Sequence, residues 1–295
     1  MAKRALRAIY RLVPLKKQIF TIVRKITSPS SRVYQHLHFV GDFPVRIEDG
    51  YWMKMRHYGF QIENEIFWSG LDGGWERTSL RLWKKLVRQA DVIFDIGANT
   101  GVYSLVAKSL NPAATVYALE PISRVFEKLL ENRTLNDLDF FCLEVAASDA
   151  DGTAVVFDTP AEHTYSVTVN ENLLAHGEEA IPTEIQIIRL DTLINEHGIP
   201  KIDLMKIDVE THEPQVLAGL GKYLNEFRPT LLIEILTDDV GVRVQELVEG
   251  LDYLYFNIDE EKDSVRQVDK ITKSDYYNYL LCTNGMAWEL GLLNE

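Results

Sequence analysis

Residues 92–101 read VIFDIGANTG: an apolar run meets Asp95, and Gly97, Asn99 and Gly101 follow at once. Glycines in such a turn lack a Cβ, so a ligand can approach the backbone closely. In the dinucleotide fingerprint G-x-G-x-x-G, the middle glycine makes room for a pyrophosphate at a helix N-terminus. Here Asn99 takes that place, and the carboxylate of Asp95 at the entrance would repel a pyrophosphate and attract a cation. The next apolar run, VYALEP, puts Glu120 19 residues after Gly101, where a carboxylate can accept both hydroxyls of a ribose. A ligand with a ribose, no pyrophosphate, and an amine or sulfonium near Asp95 meets these conditions, as S-adenosylmethionine does. The competing reading is that Asp95 and Glu120 cap helices or pair with arginine.

A second group of ionisable residues lies in KIDVETHE, residues 206–213. Asp208 closes an apolar run; Glu210 and Glu213 follow near the start of a helix, where the dipole favours anions. Pro214 suits a first helical turn. Glu234 stands near the end of TLLIEIL, and Lys206 could pair with one of these acids. Acids gathered at neighbouring strand ends are costly unless they are functional, metal-bound or paired. A hydroxyl is a poor nucleophile until its proton leaves, and a nearby carboxylate or imidazole can accept that proton. Asp208 and Glu210 lead as candidates for this base, with His212 next; the plainer role for His212 is a solvent-facing residue at a helix start. The alternation of Asp208, Glu210 and His212 would also set them on one face of an extended segment, able to bind Mg²⁺ or Zn²⁺.

The elements that must position these residues alternate. The pattern predicts strands at 92–96, 115–119, 140–146, 153–158, 185–190, 202–208, 230–236, 252–258 and 277–283. Helices are predicted at 76–89, 101–110, 122–133, 213–224 and 240–249. Strands alternating with helices imply right-handed crossovers and a doubly wound, mostly parallel sheet, with the last two strands as an antiparallel edge. Ligands of such sheets sit outside the carboxyl ends of the strands, which places the chemistry on the loops after residues 96, 119, 146, 208 and 235. The polar stretch 159–180 lies beside that rim, and His163, Tyr165 and Ser166 could meet an acceptor or simply belong to a surface excursion. Residues 33–75 read as a small mixed cap with turn signals at GDFP, EDGY and SGLDGGW; Tyr51, Trp68 and Trp75 there suit a core or a stacked ring. The division expected is an N-terminal basic arm and cap over 1–75 and an α/β domain over 76–295.

The ordered runs VIFDIGANTGVYSLVA, ALEPISRVFEKLLENRTLNDL, AASDADG, IRLDTLI, LMKIDVETHEPQVLAGL and RPTLLIEI resemble the FkbM family of class I S-adenosylmethionine-dependent methyltransferases. The resemblance covers about residues 76–236, and Thr211 stands where the family usually has glycine. It implies a Rossmann-like, seven-stranded sheet with an antiparallel C-terminal edge. It also implies that Asp95, Gly97, Asn99 and Gly101 line the methionine end of the cofactor and that Glu120 holds its ribose. Ala147, Ser148 and Asp149 would meet the adenine, although Asp149 equally suits a turn with Asp151 and Gly152. The family's acceptors imply O-methylation of a sugar, glycan or secondary-metabolite hydroxyl, and no metal.

Composition narrows the alternatives. The 295 residues carry a net charge of −13, yet residues 1–41 hold nine basic side chains and no acidic one. That leaves 22 basic residues against 44 acidic ones in the rest of the chain, a body that would repel a phosphate backbone and argues against nucleic acid as a partner. The basic head also has apolar residues at helical spacing, so it could touch an anionic membrane surface, pack on its own acidic body, or pack on a second subunit. The two cysteines, Cys142 and Cys282, fit a reducing, cytoplasmic setting better than a disulfide framework, and no run approaches a transmembrane length. The rival functions are a nicotinamide-dependent oxidoreductase and a non-catalytic, membrane-recruited cofactor-binding scaffold.

Overall fold

The computed structural model describes residues 14–27, 29–158, 167–168 and 181–293. Its centre is an eight-stranded sheet. In chain order the strands are β3 (Val92–Ile96), β4 (Thr115–Leu119), β5 (Phe141–Leu143), β10 (Leu204–Ile207), β11 (Thr230–Glu234), β12 (Tyr253–Asp259), β13 (Ser264–Val268) and β14 (Asn278–Thr283). Across the sheet they run β13-β12-β14-β11-β10-β3-β4-β5. The five strands from β11 to β5 are mutually parallel, and β14, β12 and β13 add an antiparallel edge. Every residue of β3 and β10 is buried, as expected where helices cover both faces. The strand order reverses between β3 and β10, so the crevice of this sheet opens at their carboxyl ends.

The helices of one face are α4 (Arg77–Leu86), α5 (Val102–Leu110) and α6 (Ser123–Leu135). Those of the other are α7 (Leu190–His197), α8 (Glu213–Gly219), α9 (Lys222–Phe227) and α10 (Asp238–Val248), and α11 (Asn284–Glu289) ends the described chain. Two apolar clusters result, one through Trp83, Leu105, Leu232 and Leu280, the other through Phe94, Leu193, Met205 and Val244.

The structure departs from the sequence pattern in three places. The sheet has eight strands rather than seven, because the acidic turn after Asp259 carries the chain back along β12 as β13. The run 140–146 is not one strand. It breaks after Leu143, where Glu144 turns outward to Ser123, and resumes as β6 (Ala146–Ser148) in another sheet. That small sheet has the order β6-β9-β7-β8, with β7 (Gly152–Asp158), β8 (Val167–Thr168) and β9 (Ile181–Arg189). The helix expected over 213–224 is divided between α8 and α9 at Gly221, which has φ 55°.

The N-terminal residues form α1 (Lys16–Ile26), α2 (Ser31–Tyr34), a hairpin of β1 (Gly41–Glu48) and β2 (Tyr51–His57), and α3 (Gln61–Ser69). Phe20, Phe43 and Trp68 join the same apolar cluster as Trp83 and Leu280, and the side chains of Asn132 and Asn136 on α6 bond the backbone of Arg56 and Lys54. Trp68 is 8% exposed and stacks on Tyr34, and Trp75 meets the edge of Tyr103, so both serve as core. Among the described residues, no helix is long and apolar enough to cross a membrane.

Candidate cofactor and active site

The turn after β3 is held by two backbone bonds, from Gly97 N and Ala98 N to the carbonyl of Leu119 at 3.0 and 2.9 Å. Gly97 has φ 77°, and a Cβ there would lie 1.9 Å from the carbonyl oxygen of Asp208, so only glycine lets this turn lie against the end of β10. Asn99 also adopts a left-handed conformation, φ 53°, and its side-chain oxygen accepts from Thr100 N. Its own N–H donates to Glu120 Oε2 at 3.1 Å, while Ile122 N donates to Glu120 Oε1 at 3.0 Å. Glu120 is therefore fixed at the tip of β4 with lone pairs left over. Burial pushes its carboxyl up to about 7, against the opposing pull of the two N–H bonds and of Arg124.

A cavity of about 160 Å³ opens beside this carboxylate. Gly97, Asn99 and Glu120 form one side of it, Ala147 and Ser148 of β6 another, and Asp208, Glu210 and His212 a third. Ile122, Val156, Ile185 and Ile187 give it an apolar wall, most of it supplied by the small sheet. A wider depression of about 520 Å³ lies along α6, lined by Asp42, Arg56, Glu127 and Glu131; it is away from the strand tips, and Arg56 pairs with both Asp42 and Glu131.

Of the residues expected to meet the cofactor, Asp95, Gly101 and Asp149 are not in the cavity wall. Asp95 is fully buried: its Oδ2 accepts from Ser104 N and Oγ at 3.0 and 2.6 Å, and its Oδ1 has no hydrogen-bond partner. Burial raises its pKa, opposed by Lys206 and by the bonds from Ser104. Its bonded oxygen is turned to the first turn of α5. Gly101 has φ 90°, and a Cβ there would meet Leu129 Cδ1 at 2.5 Å, so this glycine answers to helix packing. Asp149 is exposed; its side chain accepts weakly from Ser148 Oγ at 3.3 Å and its carbonyl accepts from Arg189, which is a turn role.

The acids of KIDVETHE separate into different surroundings. Lys206 on β10 is level with Asp95 on β3, and side-chain alternation puts Asp95, Lys206, Asp208, Glu234 and Asn278 on one face of the sheet. Lys206 Nζ bonds Asp208 Oδ2 at 2.8 Å and lies 4.8 Å above the ring of Tyr103. Burial alone would lower the lysine's pKa, but Asp208, Glu76 and Asp95 more than reverse this and leave it raised. Burial raises the pKa of Glu234 well above the ordinary carboxylate value, and Asp208, Glu210 and Glu76 push it the same way.

Beyond Asp208 the chain is not extended. Glu210 and Thr211 have φ 54° and 79°, the left-handed region that a glycine after Glu210 would enter without strain. Asp208, Glu210 and His212 therefore reach the same cavity from a turn and not from one face of an extended strand. Among the described residues, no group of three His, Cys, Asp or Glu is placed to hold a metal. Glu213 is wholly buried, its Oε1 accepting from Val209 N and Thr211 N, its Oε2 without a partner, and burial pushes it up to about 8. His212, at the start of α8, sits 3.0 Å from Ser148 Oγ by Nε2, and burial lowers its pKa. That contact is possible because α8 lies flush on β6: a Cβ on Gly219 would come within 2.1 Å of the Ser148 carbonyl.

One ionisable neighbour of Lys206 and Asp208 was not anticipated. Glu76 enters from the turn before α4, at φ 46°, and accepts from Tyr103 OH at 2.7 Å and Asn278 Nδ2 at 3.2 Å. Burial pushes it up to about 7, with Lys206 pulling the other way. Its partners lie 27 and 202 residues away in sequence, so no local pattern marks it. The apolar wall from β7 and β9 could have been found from their alternating residues. His163, Tyr165 and Ser166 lie outside the described residues.

Residues 95–260 match the family model described as the Methyltransferase FkbM domain. The 31-O-demethyl-FK506 methyltransferase FkbM of Streptomyces tacrolimicus is 33% identical over 161 residues, 45% of this chain and 61% of that protein. The hexuronic acid methyltransferase AglP of Haloferax volcanii is 28% identical over 164 residues, 54% of this chain and 62% of that protein. The 2-O-methyltransferase NoeI of Sinorhizobium fredii is 29% identical over 170 residues, 51% of this chain and 68% of that protein. The chain thus spans about three-fifths of the length of the first two relatives. The model match takes in the β3 turn, Glu120 and the KIDVETHE segment, more than half of the sequence, and the chain belongs to the FkbM methyltransferase family.

Proposed function

We propose that this chain is an S-adenosylmethionine-dependent O-methyltransferase whose acceptor is a hydroxyl of a sugar, glycan or secondary metabolite. The observation that carries this reading is Glu120, fixed by the N–H groups of Asn99 and Ile122 and facing the same cavity as Asp208 and His212. A carboxylate so held has the chemistry to accept two ribose hydroxyls. Gly97 and Asn99 offer a close backbone wall without a pyrophosphate cradle, and Ile122, Val156 and Ile185 offer an apolar slot for a flat ring. Bound S-adenosylmethionine would supply an already activated methyl group.

The chain's own task is then to position the acceptor hydroxyl in line, exclude water and take its proton. Asp208 suits the last task because Lys206 bonds only one of its oxygens in the structure, orienting the other. His212, neutral at physiological pH because burial lowers its pKa, is the second candidate. The named substrates of FkbM and AglP, a demethylated FK506 and a hexuronic acid, support a hydroxyl-bearing small molecule or glycan. The test is transfer of labelled methyl from S-adenosylmethionine to a panel of hexuronic acids, oligosaccharides and polyketide alcohols. Label in a base-stable ether supports the reading. Label confined to nitrogen or carbon would overturn the O-methyl assignment.

A further inference from the structure

Helix α1 carries apolar side chains on two sides. One side is docked: Phe20 is buried against Phe39 and Trp68, and Val23 packs on the same cluster. Arg24 lies over the Phe67 ring at 4.5 Å and donates to the Phe67 carbonyl. The other side is not. Leu15, just before the helix, and Ile19, Ile22 and Ile26 follow the spacing i, i+4, i+7, i+11, which aligns them in one narrow stripe. They are 64, 44, 59 and 79% exposed. A single exposed aliphatic residue is ordinary, but four in a row form a surface with a purpose. Eight of the thirteen exposed large apolar side chains among the described residues lie between Leu15 and Trp52, so the apolar surface is concentrated at this end.

Charge is segregated in the same direction. Residues 1–41 hold nine basic and no acidic side chains, and Lys25 flanks the stripe at the exposed end of α1, whereas the rest of the chain has a net charge of −22. We propose that α1 lies in the headgroup region of an anionic lipid bilayer, its Leu15–Ile26 stripe turned into the acyl boundary and the exposed Lys25 among the lipid phosphates.

Area favours a bilayer over a second protein. Eleven residues make a helix about 16 Å long, and a stripe about 10 Å wide offers roughly 160 Å², far below the ~800 Å² per partner of a stable interface. A lipid surface requires no matching concavity, and its grip grows with inserted aliphatic groups and adjacent cations. Repulsion of the acidic body fades beyond about 10 Å at ordinary ionic strength, so it turns that body outward without cancelling the arm's attraction.

The experiment sediments the full chain with vesicles of phosphatidylcholine alone or mixed with phosphatidylglycerol. The expected result is sedimentation with the mixed vesicles only, weakened by salt. Ile19→Glu combined with Ile22→Glu should reduce the bound fraction at least about tenfold, with unchanged thermal melting because both side chains are exposed. Wild-type protein that stays in the supernatant with anionic vesicles would overturn the proposal, as would a double variant that sediments like wild type. A salt-sensitive dimer that the double variant abolishes, with no vesicle binding by either protein, would assign the stripe to a second copy instead.

Discussion

Replacing Glu120 by glutamine removes a charge from the cavity wall while keeping the side chain's length. In the native site both carboxylate oxygens accept backbone N–H bonds, from Asn99 at 3.1 Å and Ile122 at 3.0 Å, and the remaining lone pairs face the cavity. Glutamine keeps one acceptor oxygen and turns an NH₂ toward the other N–H donor. Two charge-assisted bonds to ribose hydroxyls would be replaced by at most one neutral bond. With charged bonds at about 1.5–3 kcal/mol each, the loss comes to about 3 kcal/mol, or roughly 100-fold in Kd for S-adenosylhomocysteine. The pH dependence gives a second reading of the same group. Because burial pushes Glu120 up to about 7, and only the ionised form accepts both hydroxyls, wild-type affinity should be about tenfold weaker at pH 6 than at pH 8. The glutamine variant should have lost that component. Isothermal titration with S-adenosylhomocysteine at the two pH values measures both effects. A variant that binds within a few-fold of wild type, or that keeps the full wild-type pH dependence, would refute the assignment of Glu120 to the ribose.

With Asp208 as the proposed base, Asp208→Asn should lower turnover by about 10²–10⁴ while cofactor affinity changes only a few-fold; unchanged turnover in a methyl-transfer assay would place the base elsewhere. Gly101→Ala should cost about 3 kcal/mol in denaturant unfolding, since its Cβ would meet Leu129 at 2.5 Å on a backbone with φ 90°. The folded fraction of that variant should bind cofactor normally, and a specific loss of affinity would return Gly101 to the ligand wall. Stability itself should fall between pH 6.5 and 8. Burial raises Glu76 and Glu120 to about 7 and Glu213 to about 8, so the folded state holds protons that the unfolded chain has released, and that advantage is lost as pH rises through these values. His212, lowered by burial, acts in the opposite sense only below its ordinary value of 6.5. Melting temperature followed across this range checks the sign, and Glu213→Gln should flatten the slope.

The parts of the fold written in local periodicity were readable from the chain: β3, β4, β10 and β11 stand where apolar runs end in a turn residue, and Gly97 and Glu120 follow from those turns. Other residues answer to distant neighbours that local periodicity does not show. Asp95 reads as a ligand residue in one dimension; its strand register sets it level with Lys206, and Ser104, in the first turn of α5, donates to its carboxylate. Gly101 is required by Leu129, which arrives on another helix. The even spacing of Asp208, Glu210 and His212 implied a shared face, which the left-handed Glu210 and Thr211 remove. Glu76 meets Asn278 only because β14 pairs with β11, 202 residues on in the chain. The break of 140–146 depends on Glu144, whose outward turn transfers the chain to the second sheet.

On the proposed function, the cavity beside Glu120 takes S-adenosylmethionine and not a dinucleotide. Equilibrium titration of the purified full chain with S-adenosylhomocysteine and, separately, with NAD tests it most directly. The expected result is saturable binding of S-adenosylhomocysteine and none of NAD at matched concentrations. Tight NAD binding with no response to S-adenosylhomocysteine would contradict it.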